Sequence, residues 1–161
     1  MLPAFQLSVP DWEKKEDYIA PCDVTFSHYI GDRIACRSKS KTEPAYIRIR
    51  AYGLNGTDKA ICNFVDKEGR GYGAAFNLKA EASDILVPVS GLVPTKAAML
   101  PQDWPGVNPY WYPASTQENN GIALDWKIID FVQISLRDEL YNAGNRKNKG
   151  IVVERIDLLF R

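Results

Sequence analysis

Ala45–Gly53 reads AYIRIRAYG. Ala45, Ile47, Ile49 and Ala51 alternate with Tyr46, Arg48, Arg50 and Tyr52. Side chains that alternate with a period of two lie on opposite faces of an extended strand, whereas a helix would repeat its apolar residues at three- and four-residue intervals. This stretch is therefore a strand with one face in a core. Its other face presents two phenols and two guanidiniums in a row.

Segments on either side carry the same kind of signal. Leu2–Val9 and Asp23–Ile30 alternate as strands, and His28 falls on the apolar side as a core or rim histidine. Arg33–Glu43 is basic and polar and reads as a turn. Asn55-Gly56 is the strongest short hairpin signal, which makes Lys59–Asp66 the returning strand. Lys67-Glu68-Gly69 is a further turn. In Arg70–Leu78 the glycines mark a bulge or a close backbone approach. Pro88 makes Asp84–Val89 an edge strand.

In Ile128–Leu136 the apolar phase changes near Asp130, as a bulge would require. Gly150–Phe160 closes the chain, with Val152, Ile156, Leu158 and Phe160 in phase and Glu154 sharing that phase, pointing inward or at the rim. About eight or nine short strands with little or no helix specify an all-β domain, a jelly-roll-type β-sandwich formed by the single unit 1–161.

Composition narrows the partners. Twenty basic and twenty acidic residues cancel, so electrostatics favour neither nucleic acid nor an anionic membrane. No apolar run approaches membrane-spanning length. The N-terminus, MLPAFQLSVPDW, lacks a basic region followed by an apolar one, so no signal peptide is expected. Cys22, Cys36 and Cys62, with one histidine and no CxxC, make no recognisable zinc site and read as small buried apolar groups. Neither a phosphate-binding loop nor a GxSxG or HExxH motif is present. For paired-carboxylate catalysis the candidates are Asp103, Glu118, Asp125 and Asp130, and solvated or ion-paired acids are the favoured reading.

Leu100–Trp126 holds three of the four tryptophans and four of the ten prolines. Prolines at 101, 105, 109 and 113 make it a stiff crossover between strands. Pyranose rings present apolar C–H faces that stack on Trp or Tyr while their hydroxyls take hydrogen bonds from polar side chains. Two surfaces fit that chemistry: Trp104, Tyr110, Trp111, Tyr112 and Trp126 with Asn119 beside them, and the strand face of Tyr46, Arg48, Arg50 and Tyr52. Each surface has a plainer reading, the first as a core cap and the second as a salt-bridged face. An exposed aromatic cluster also suits docking to a neighbouring domain.

The run DILVPVSGLVPTKAAMLPQDWPGVNPYWYP, with WKIIDFVQISLRDE and NKGIVVERIDLLF after it, resembles the galactose-binding-like β-sandwich modules of bacterial polysaccharide-degrading enzymes. LPQDWPGVNPYW is similar to a Leu-Pro…Tyr-Pro…Leu-Pro-Tyr-Trp pattern of accessory domains in gut-bacterial glycoside hydrolases, with Trp104 in place of a tyrosine and Asn108 in place of an apolar residue. The resemblance implies an exported, non-catalytic module that binds carbohydrate or supports a catalytic domain in the same chain. It also implies a structural calcium ion, around Asp11, Asp23 or Glu154, and raises a Cys22–Cys36 bridge.

Overall fold

The structure is a computed structural model and describes residues 4–8, 24–38, 43–98, 111–112, 122–141 and 149–160; of Trp111 and Tyr112 only the backbone is described. Eleven strands are described: β1 (Phe5–Ser8), β2 (Val24–Tyr29), β3 (Pro44–Leu54), β4 (Lys59–Asp66), β5 (Gly71–Asn77), β6 (Ser83–Pro88), β7 (Val93–Thr95), β8 (Ala97–Ala98), β9 (Trp111–Tyr112), β10 (Ile129–Leu136) and β11 (Gly150–Phe160). A four-stranded sheet runs β1-β11-β3-β6 and a five-stranded sheet β2-β10-β4-β5-β7, with β8 and β9 forming a small ribbon. Every pairing is antiparallel. The all-β sandwich expected from the strand pattern is what forms.

Its core lies between the two sheets. Ile47, Ile49 and Ala51 of β3 and Ile151 and Val153 of β11 meet Cys62 and Phe64 of β4 and Val132, Ile134 and Leu136 of β10. Burial without a partner pushes the Cys62 thiol up to about 12. Cys36 is exposed, not buried as expected, and both it and Cys62 are free thiols; Cys22 lies outside the described residues. His28 stacks on Phe26 with ring centroids 6.3 Å apart, as a rim histidine does. Asp130 is the bulge foreseen in β10: the register shifts between Ile129 and Phe131.

Three expectations are corrected. Gly31–Ser38 is a helix, α1, where a turn was expected. Ile30 and Ile34 anchor it in the core, and Asp32 sits in its first turn, where a carboxylate complements the helix dipole. Among the described side chains, Ile30 just before the helix and Ile34 within it are its apolar anchors, too few to show a period. Second, the Asn55-Gly56 turn forms, with φ of 51° and 70°, but it closes no hairpin. It carries the chain from β3 in one sheet to β4 in the other. The buried ammonium of Lys149 holds it there, donating to Gly56 O at 2.8 Å and Asn55 O at 3.3 Å with the Tyr141 ring 5.6 Å away. Third, β11 bulges between Val153 and Arg155, so that Glu154 and Arg155 together face Arg50. The inward set is therefore Ile151, Val153, Ile156 and Leu158, and Glu154 points out.

The far side of the five-stranded sheet is roofed. Asn63 and Gln133 lie opposite each other on that side and are buried there. Asn63 Nδ2 donates to Lys96 O at 2.6 Å, and Gln133 takes both backbone groups of Ala98, accepting from its N–H at 3.0 Å and donating to its carbonyl. Arg137 donates to Thr95 Oγ1 at 2.9 Å and to Lys96 O. These side chains stand in for a strand ladder and clamp 95–98 flat on the sheet. Glycine makes the approach possible: a Cβ at Gly73 would lie 1.9 Å from Asn63 Oδ1, and one at Gly71 2.6 Å from Thr95 O. The β4–β5 register runs unbroken, so the glycines serve close approach rather than a bulge. β9 pairs with β8, Ala97 opposite Tyr112 and Ala98 opposite Trp111, so the clamp also sets the backbone of the ribbon.

Replacing Gln133 by Met leaves the Ala98 N–H and C=O without this partner in a half-buried site, a loss of about 1 kcal/mol. Chemical denaturation of Gln133→Met is expected to show that loss, with faster hydrogen exchange at the Ala98 amide. Unchanged stability with the Ala98 amide still protected would contradict the clamp.

Candidate ligand face

The outward side of β3 forms the centre of the candidate site. Antiparallel register places directly opposed residues on the same face. Tyr46 thus lies between Pro88 of β6 and Leu159 of β11, Arg48 between Leu86 and Asp157, and Arg50 between Asp84 and Arg155. Tyr52 is opposite Val152, whose other neighbour is Gln6 of β1. Tyr46 is 36% exposed and Leu86 57%, so this end of the face is open to solvent.

Ion pairs organise the middle. Arg48 donates to Asp157 Oδ2 from Nε at 3.1 Å and from Nη2 at 2.8 Å, and Arg155 Nε lies 2.6 Å from the same oxygen. Arg50 donates to Glu154 Oε2 at 2.9 Å and sits 3.5 Å from Asp84 Oδ1. Arg50 and Arg155 are like charges set directly across the ladder, an arrangement that destabilises a sheet by itself. The β11 bulge relieves it by bringing Glu154 to the same face, and Asp157 takes Arg155. Burial alone would push the Asp157 carboxyl up; hydrogen bonds from Arg48 and Arg155 and their positive charge outweigh it and hold the group below its ordinary value.

Three guanidiniums therefore meet three carboxylates, and the face carries fixed donors and acceptors with no net charge. Six residue-to-residue steps of strand carry the chain from Tyr46 to Tyr52, a span of roughly 20 Å. An elongated neutral ligand with both apolar faces and hydroxyls matches such a strip, and an anion would find every arginine already engaged.

The other expected site residues fall elsewhere. Trp126 is 6% exposed and meets Phe64 edge-on with centroids 4.8 Å apart, so it caps the core and offers no stacking ring. The 3-10 turn that carries it starts at Asp125, whose carboxylate accepts from Lys127 N at 2.9 Å. Trp104, Tyr110 and Asn119 lie outside the described residues, as do Asp11, Asp23, Asp103 and Glu118. Glu154 is ion-paired with Arg50 at 2.9 Å. Among the described residues no group of three or more His, Cys, Asp or Glu could hold a metal ion. Sequence reasoning missed Asp157, Asp84 and Leu86 as members of the face. The signal for the first was present in Glu154-Arg155, two adjacent charges inside an apolar strand, which is how a bulge reads.

No family model matches the chain, and no curated protein matches it significantly. Solved structures are similar to it. The family 11 carbohydrate-binding module of a cellulosomal cellulase of Clostridium thermocellum aligns with 100% of this chain and 89% of its own, at 14% identity and a TM-score of 0.48. A family 11 module from the same organism, in complex with a β-1,3-1,4-mixed-linked tetrasaccharide, aligns with 99% and 89%, at 14% identity and a TM-score of 0.49. An exo-β-agarase aligns with 76% of this chain and 17% of its own, at 10% identity and a TM-score of 0.44. At such identities the likeness extends to no individual residue.

Proposed function

We propose that this domain is a non-catalytic carbohydrate-binding module and that a neutral glycan lies along the outer face of the four-stranded sheet. The observation that supports this most is the open row of Tyr46, Arg48, Arg50 and Tyr52, held in register by ion pairs to β6 and β11. The tyrosines stack on pyranose C–H faces, and the paired arginines and carboxylates exchange hydrogen bonds with hydroxyls. Because the ion pairs are formed before ligand arrives, little side-chain order is lost on binding. Binding over a solvated face remains weak, since each hydroxyl contact replaces one with water. The resemblance of Asp84–Phe160 to accessory modules extends this reading to attachment to a polysaccharide-degrading enzyme and to an extracellular or periplasmic location. A second reading, docking against a neighbouring domain, draws on Leu86, a large apolar side chain exposed beside Tyr46.

Calorimetry against a panel of neutral plant and algal polysaccharides is expected to find at least one ligand. Tyr46→Ala and Tyr52→Ala each remove a stacking contact of about 1 kcal/mol and weaken that ligand by about fivefold. Full affinity in both variants would place the ligand elsewhere. No binding by the wild type, with an exposed face that associates with a catalytic domain, would favour docking.

The pH profile follows from Asp157. Its folded value is depressed, so its contribution is complete above the ordinary 3.8 and is lost as pH falls through the folded value. Affinity is expected to stay level down to about pH 4 and to fall only below it, where the Arg48–Asp157–Arg155 cluster comes apart. Loss of affinity between about pH 5 and 7 would point to a different titrating group.

A further inference from the structure

An open groove of about 420 Å³ runs between the edge strands β5 and β6, where the two sheets part. β6 ends its sheet, and β7 covers β5 only from Gly71 to Gly73, so Ala74–Asn77 borders the opening. Apart from Asn77, every residue lining the groove is apolar or glycine. Phe76 forms part of its wall and is otherwise buried in the core.

Two lining residues belong to the ligand face as well. Leu86 stands opposite Arg48 and Pro88 opposite Tyr46, so the groove opens over the rim of the face beside its Tyr46 end. Resting on the glycan reading above, we propose that this groove receives an apolar substituent carried by the glycan, an O-acetyl group, and so makes the site selective for acetylated neutral polysaccharide. The chemistry is that of the lining, apolar side chains set between the backbone edges of β5 and β6: an acetyl methyl gains by burial against Leu86, Pro88 and Phe76, which a hydroxyl does not, and its carbonyl accepts from an edge N–H. The neutral ladder next to it accepts the backbone of the chain without asking for charge. Continuity of the groove with the face is what favours this occupant over a separate partner.

The test pairs each acetylated polysaccharide, among them glucomannan and xylan, with the same preparation after mild alkaline deacetylation. Wild-type protein is expected to prefer the acetylated form by about threefold to tenfold, the factor that burying one or two methyl-sized groups gives. Gly91→Ala narrows the groove: a Cβ there meets only Pro88 Cγ, at 3.6 Å, an ordinary van der Waals contact that the fold tolerates. That variant should bind both forms alike while keeping the affinity for deacetylated chain. Equal binding of the two forms by wild type would overturn the acetyl groove and leave the glycan face standing. No binding of either form of any polysaccharide would overturn both. If instead the groove holds a second copy of the chain, sedimentation shows a concentration-dependent dimer that Leu86→Ser abolishes, without acetyl discrimination, and the proposal fails.

Discussion

The alternation of β3 is the constraint on which the rest depends. Ile47, Ile49 and Ala51 are sealed in the core while Arg48 and Arg50 lie between them on the outside. A slip of one residue would drive two guanidiniums into an apolar interior and expose two isoleucines, so the register admits no alternative. Ion pairs to β11 and β6 fasten the same register from the outer side. Core packing and the ligand face are thus two consequences of one strand. Exposed ion pairs contribute little stability singly, and their value here is geometric: they hold long side chains in one arrangement.

The two outer faces of the sandwich are finished in opposite ways. On the four-stranded sheet, charges are paired in the plane of the sheet, the Tyr46 ring at one end is exposed and the Tyr52 ring at the other is half-buried. On the five-stranded sheet, Asn63, Gln133 and Arg137 reach up to main-chain groups of 95–98, and the strand beneath them is buried on both sides. A buried polar side chain is expensive unless it is matched, and here Asn63 Nδ2, the Gln133 amide and the Arg137 guanidinium are matched by main-chain groups. That difference separates a roofed face from an open one, and it is the reason the proposed site falls on β3.

Much of this was legible in the sequence, and the failures have physical causes. β3 was clear because both halves of its alternation are strong. The β10 bulge was clear because Ile129 and Val132 keep different phases about Asp130. In β11 the apolar residues on the two sides of the bulge can be joined into one false phase through Val152, which placed Glu154 inward or at the rim and hid Asp157 from the face. Positive φ at Asn55 and Gly56 followed from their chemistry, but a turn does not determine which sheet the next strand enters. Asn63 and Gln133 look in sequence like outward polar residues of ordinary strands; only the arrival of 95–98 from a distant part of the chain makes them a clamp. Trp126 ends the stretch Leu100–Trp126 and reads with its other rings as a platform, and its edge-on contact with Phe64 is a tertiary fact.

The central claim is that ligand meets the outer face of the four-stranded sheet. Backbone amide NMR during titration with an oligosaccharide cut from a polysaccharide that binds locates that contact directly. The account predicts that perturbed amides concentrate in β3, β6 and β11 around Tyr46, Arg48, Leu86 and Asp157, with β2 and β10 nearly silent. Perturbations centred instead on β2, β10 and the β8–β9 ribbon would contradict it.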